Sequence, residues 1–159
     1  MATVTIKNAD RLLQRLNNIA DMDLTDKMNK ATTMVHAQAK TLAPVDTGDL
    51  AGSIHMSVDK VGQTIQGKVY TNKEHAPYVE FGTGSNGNGT YPYKVEGLNL
   101  TYRDTPWVYT PDGGDTFYRT NGQPAQPYMY PALKENEKYI KELLKSGVKN
   151  ELKANCKGG

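Results

Sequence analysis

Apolar residues recur at two different periods along this chain, and the change of period divides it. Leu24, Met28, Ala31, Val35, Ala39 and Leu42 lie three or four apart, one face of a helix of about five turns. Asp23 stands where it can cap that helix. Ahead of it, Leu12, Leu13, Leu16 and Ile19 form a shorter helical stripe after Asn8, a second capping residue. Thr3–Lys7 alternates Val4 and Ile6 as a strand or extended arm does. Period two then takes over. Ile54, Met56 and Val58 share one face, as do Ile65, Gly67 and Val69, which predicts strands over Leu50–Val58 and Gln63–Tyr70. The turn residues Asp59-Lys60-Val61-Gly62 join them as a hairpin. Helical spacing returns in Leu133, Ile140, Leu143, Leu144 and Val148, a last helix from near Pro131 to about Lys153 with Gly147 placed to bend it. Residues 154–159 are expected to be a flexible tail. His36, beside the first long stripe, reads as a structural histidine.

The switch from helix to strand occurs in Thr41–Ile54. Pro44 stops the helix, having no N–H to donate. Asp46, Thr47 and Gly48 supply a turn, short polar side chains followed by a residue free to take positive φ. The segment reads as an αβ corner without chemistry of its own. Ala76-Pro77-Tyr78-Val79-Glu80-Phe81 makes one helical turn that stops at Gly82 and Gly84. Ser85–Pro127 is then too long and glycine-rich for an ordinary connection. Within it, Trp107–Thr110 and Thr116–Arg119 flank Pro111-Asp112-Gly113-Gly114-Asp115, a hairpin signal. We read 85–122 as a projecting insertion on one domain spanning 1–159, with Ser85–Gly89 as its mobile entry. Three prolines, Pro124, Pro127 and Pro131, keep the return extended and position the last helix. The predicted fold is α+β: N-terminal helices and a long C-terminal helix packed on a small, mainly antiparallel sheet, with an aromatic β-hairpin projecting.

Composition narrows the function. The chain has 159 residues, enough for one core. Its mean hydropathy of −0.66 is polar for a compact monomer. Ten Tyr against two Phe and one Trp favours surfaces that are apolar yet partly wet. The net charge of +2 advertises neither nucleic acid nor a membrane surface. Cys156, the only cysteine, has no internal partner for a disulfide, which fits a reducing compartment. The absence of a signal peptide and of a long apolar run disfavours secretion and membrane spanning. Phosphate loops, dinucleotide glycine fingerprints and paired-histidine zinc helices are missing. Gly82-Thr83-Gly84 and Gly87-Asn88-Gly89 lack the following Lys and helix, and read as flexible turns. His55, His75, Glu74 and Glu80 match no recurring ligand spacing, and Ser53 and Ser57 are in no nucleophile context. No cofactor, no metal and no enzymatic activity are expected.

Three blocks stand in fixed order: Ala43-Pro44-Val45-Asp46-Thr47-Gly48-Asp49-Leu50 with Ser53-Ile54; Ala76-Pro77-Tyr78-Val79-Glu80-Phe81-Gly82-Thr83-Gly84; and Gln123-Pro124-Ala125-Gln126-Pro127-Tyr128-Met129-Tyr130-Pro131-Ala132-Leu133. Together, over Leu24 to Leu144, they resemble the neck and tail-completion proteins of long-tailed bacteriophages, minor tail or head–tail joining components similar to the lambda-type tail-completion protein. The resemblance implies a structural virion protein at the head–tail junction, held in the host cytoplasm before assembly. It implies a homo-oligomeric ring, usually of six subunits, between the head connector (stopper) and the tail terminator, through which DNA passes without specific binding. On that reading, Tyr91, Tyr93, Tyr102, Trp107, Tyr109, Phe117, Tyr118, Arg119, Tyr128 and Tyr130 are candidates for intersubunit or inter-ring contacts. Glu80 and Phe81 are expected near the sheet–helix seam. Two rivals remain. A DNA-binding module at the genome end requires a basic stripe, whereas Lys134, Lys138, Lys141 and Lys145 alternate with Glu135, Glu137 and Glu142 as a salt-paired face does. A virion hydrolase or metalloenzyme requires His75, Glu80 and Asp46 to converge.

Overall fold

The computed structural model describes Asn17 and residues 22–45, 48–110 and 114–157. The expected arm Thr3–Lys7, the helix after Asn8, Asp46, Thr47 and the hairpin residues 111–113 lie outside the described residues. The order of elements is α1 (Thr25–Leu42), α2 (Asp49–Gly52), β1 (Ile54–Val61), β2 (Thr64–Thr71), α3 (Ala76–Phe81), α4 (Gly84–Gly87), β3 (Trp107–Tyr109), β4 (Tyr118–Thr120) and α5 (Met129–Lys157). The class is α+β, with two separate two-stranded sheets, β1–β2 and β3–β4.

Helix α1 starts where Asp23 accepts the Thr25 backbone N–H at 2.9 Å and its hydroxyl at 2.5 Å. Its apolar stripe buries Ala31, Val35 and Ala39. The corner departs from expectation at Leu50. Gly48 takes φ 76, the left-handed region open to glycine, and Asp49–Gly52 forms a helical turn that buries Leu50. Ser53 closes this turn with its N–H on Asp49 and Leu50 carbonyls and its hydroxyl on Leu50 at 2.7 Å. Strand β1 therefore begins at Ile54, not Leu50. The hairpin turn is also tighter than expected: only Gly62 and Gln63 separate the strands, with Gly62 at φ 61. Positive φ at the first position of a two-residue loop matches the strand twist.

The chain divides into two compact units, which share α1, β1, β2 and α5 along their lengths. The first comprises residues within 1–34, 56–68 and 136–159. There the sheet meets α1 at Gly67, where a Cβ would lie 2.1 Å from the Thr32 hydroxyl. Helix α5 meets α1 at Gly147, whose Cβ position is 3.2 Å from Leu24 Cδ2. Gly147 is thus a contact residue inside a continuous helix, and α5 extends to Lys157 rather than ending near Lys153. Val148, expected on the covered stripe, is exposed. Lys60 pairs with Asp23 at 3.0 Å.

The second unit comprises 35–55 and 69–135. Its core holds Ala39, Ala43, Leu50, Ile54, Ala76, Tyr128 and Ala132. His36 Nε2 bonds the Ile54 carbonyl at 2.9 Å, a structural role. Gln38 reaches Glu135 at 3.0 Å. The residues 85–122 lie within this unit, which positions the candidate site.

Candidate functional site

The second unit is assembled around one carboxylate. Pro77 opens α3 and Gly82, at φ 77, ends it, so the helix is only six residues long. Glu80 sits on its buried side at 5% exposure. Its Oε2 accepts the backbone N–H groups of Tyr128 at 2.7 Å and Met129 at 2.9 Å, and its Oε1 accepts that of Tyr130 at 3.1 Å. A helix leaves its first amides without partners. Here α5 begins at Met129, and Pro131 has no N–H to satisfy. A side chain 48 to 50 residues away thus caps the whole first turn. Glu80, expected near a sheet–helix seam, joins α3 to the first turn of α5. Both oxygens thus accept backbone N–H groups.

Aromatic rings run outward from this point. Phe81 meets Tyr91 edge-on with centroids 5.1 Å apart, Tyr91 meets Tyr93 at 5.6 Å, and Tyr93 meets Tyr130 at 5.0 Å. These spacings are those of favourable aromatic pairs. The Tyr102 hydroxyl donates to the Phe81 carbonyl at 2.9 Å. The Tyr91 hydroxyl is buried without a hydrogen-bond partner. Burial, and secondly the charge of Glu80, pushes the Tyr91 phenol up to about 12. The same two causes, in the same order, bring Tyr128 to about 12.

The base of the 85–122 segment is closed by crossing backbones. Thr83 and Gln123 exchange a reciprocal pair of backbone hydrogen bonds at 2.9 and 3.1 Å. Asn86 donates its backbone N–H to Asn121 at 3.2 Å and its side-chain amide to Gly122 at 3.0 Å. The chains approach too closely for side chains: a Cβ on Gly84 would lie 2.1 Å from the Asn121 carbonyl oxygen, and one on Gly122 1.9 Å from that of Thr83. Gly84–Gly87 form the helical turn α4. The reading of Ser85–Gly89 as a mobile entry, and of these glycines as flexible turns, is therefore corrected. They are an ordered crossing, and their spacing reflects backbone contact.

Beyond the crossing, β3 and β4 pair antiparallel in the register Trp107↔Thr120, Val108↔Arg119, Tyr109↔Tyr118. Val108, Tyr109, Phe117 and Tyr118 are exposed by 57%, 46%, 72% and 50%. Arg119 is exposed and Trp107 half-buried. The ten aromatic and basic candidates thus fall into groups. Tyr109, Phe117, Tyr118 and Arg119 face solvent. Tyr91, Tyr93, Tyr102 and Tyr130 are half-buried and interact within the unit. Tyr128, expected at an interface, is 1% exposed and belongs to the core, because capping by Glu80 draws the start of α5 inward. Between α3 and the hairpin lies a cleft of about 980 Å³ whose lining includes Tyr78, Tyr102, Arg103, Trp107 and Tyr109. Sequence reasoning missed Arg103 and Tyr78, because their proximity depends on the glycine crossing.

Of the residues the enzymatic rival requires, Asp46 lies outside the described residues, His75 lines the cleft and Glu80 is not among its lining residues. Among the described residues no three His, Cys, Asp or Glu side chains are grouped to hold a metal ion. No helix among them is long and apolar enough to cross a membrane.

Residues 5–82 match the family model described as "Bacteriophage HK97-gp10, putative tail-component". The match takes in the corner block and α3, and ends at Gly82. No curated protein and no solved structure matches the chain.

Proposed function

We propose, from the premise that residues 5–82 make this chain a member of the HK97-gp10-like family of phage tail components, that it is a structural subunit of the phage neck. Copies join into a ring, six being the expected number, between the head connector and the tail terminator. DNA passes through the ring without being gripped. The protein is not an enzyme, and it waits in the host cytoplasm until assembly.

The observation that carries this reading is the hairpin. Four large apolar side chains, Val108, Tyr109, Phe117 and Tyr118, stay exposed on a two-stranded sheet anchored by the glycine crossing. Tyr109 and Tyr118 pair their rings at 6.0 Å on one face, with Val108 and Phe117 on the other, and such exposed apolar area marks an interaction surface. Support for free passage of DNA comes from charge. The net charge is +2, and the lysines of α5 alternate with glutamates, as Lys141 with Glu137. A net charge this close to zero supplies no broad basic field to hold phosphates.

The test is the mass of the purified protein, alone and mixed with the tail terminator and the head connector of the same virus, followed by imaging of any assembly. A discrete ring formed alone or on either partner supports the reading, and Phe117→Ser should weaken it without unfolding the chain. A monomer that ignores both partners yet retards duplex DNA at physiological salt would sink it in favour of a DNA-binding module.

A further inference from the structure

The cleft beside the hairpin has a defined chemistry. Tyr78, Tyr102, Trp107 and Tyr109 give it aromatic walls, Arg103 and His75 share the lining, and no carboxylate does. The Arg103 guanidinium lies 5.7 Å from the centre of the Trp107 ring, and its Nε donates to Thr105 at 3.1 Å. Among the described residues Arg103 takes part in no ion pair. A planar guanidinium held in place by an indole is a receptor for a carboxylate. Aromatic walls beside it accept a ring.

The same chain carries a segment of matching chemistry. The stretch Gly114–Phe117 holds Asp115, no Lys or Arg, and the aromatic Phe117. Asp115 is exposed, and Phe117 is exposed by 72%. A copy does not fill its own cleft with this stretch: Asp115 and Phe117 stay exposed, and neither is among the residues that line the cleft. We infer that the Gly114–Phe117 stretch of one copy docks in the cleft of a second copy, with Asp115 on Arg103 and Phe117 against the aromatic walls. The two patches differ, so the contact is head-to-tail, the kind that propagates from subunit to subunit and closes into a ring when the rotation permits. This rests on the ring reading and identifies the contact that builds it.

A charge exchange tests it. Arg103→Glu and Asp115→Lys are each expected to weaken self-association roughly 100-fold, because each sets like charges together. Mixing the two variants should restore assembly, since every residue 103 then meets a residue 115 of opposite charge. Both positions are exposed, so folding should be unaffected. As a second measurement, R103C and D115C combined in a C156S background should give a disulfide ladder of dimers and larger species on oxidation, while either cysteine alone should give none. Variants that assemble like the wild-type chain, a mixture that fails to recover, or an absent ladder each overturn the docking. Where wild-type rings still form in those cases, the ring reading stands on another contact. A chain that forms neither ring nor ladder overturns both.

Discussion

Removing the Glu80 carboxylate should be the most damaging single change to the second unit. In Glu80→Ala, three backbone donors lose an ionised acceptor at 2.7, 2.9 and 3.1 Å. The Tyr128 amide is buried, so it bears a full desolvation cost of about 1–3 kcal/mol. The amides of Met129 and Tyr130 are partly buried, and water recovers some of their bonding, leaving about 1 kcal/mol each. Together these give about 3–5 kcal/mol, above the ~0.5–2 kcal/mol of an ordinary helix cap. For a chain of this size that is a fall in Tm of about 6–20 °C. Glu80→Gln keeps the shape and one acceptor oxygen but turns an NH₂ toward an N–H, and should cost about 2 kcal/mol. Urea unfolding followed by circular dichroism gives the global loss. Fluorescence of Trp107, the only tryptophan and in the same unit as Glu80, reports the local one. Hydrogen exchange at Tyr128, Met129 and Tyr130 should quicken selectively. A Glu80→Ala protein within ~0.5 kcal/mol of wild type, with those amides still protected, would refute the reasoning.

The glycine crossing predicts a contrast: Gly84→Ala and Gly122→Ala each combine positive φ with a backbone clash and should cost more than ~2 kcal/mol, whereas Gly97→Ala, at φ 77 with open space around it, should cost only the ~1 kcal/mol of backbone strain, read by thermal melts. For Tyr91 and Tyr128 the folded value, about 12, lies above the ordinary 10.0, so the stability linked to them is intact below pH 10 and lost as pH rises from 10 toward 12. Absorbance at 295 nm should then show two phenols ionising late, with unfolding; titration of all ten tyrosines in one step near 10 would contradict the burial. Asp23 is held down to about 2, chiefly by the Thr25 hydroxyl, then by the Thr25 backbone and Lys60. Its contribution is therefore present above pH 4 and fades as pH falls from about 4 to 2, and Asp23→Asn should flatten that limb of the stability profile.

The long helices and the first hairpin are legible because their apolar periods are local. The stripe Ala31, Val35, Ala39 is buried as its spacing requires. Where the reading slipped, a local rule was overruled by another nearby. Leu50 alternates with Gly52 and Ile54 as in a strand, yet Gly48 starts a helical turn that buries it better. The site was harder to see. Nothing near Glu80 in sequence announces donors 48 to 50 residues away; the one available signal is the acidic residue isolated in the apolar run Tyr78-Val79-Glu80-Phe81, with Pro131 in the first turn of a helix. The glycines at 82, 84 and 87 look like flexible turns because the chain they touch, Asn121 and Gln123, is distant in sequence. The tyrosine count announced an interface, but count alone does not separate Tyr128 in the core from Tyr109 and Tyr118 on the surface.

The cap on α5 has a consequence for anything anionic that passes the protein. A 29-residue helix carries a macrodipole worth about half a positive charge at its first turn, and free amides there form a ready anion trap. Glu80 fills the trap from within: its negative charge cancels the positive pole, and its two oxygens occupy the amides that a phosphate would need. The start of the longest described helix is thereby made indifferent to polyanions.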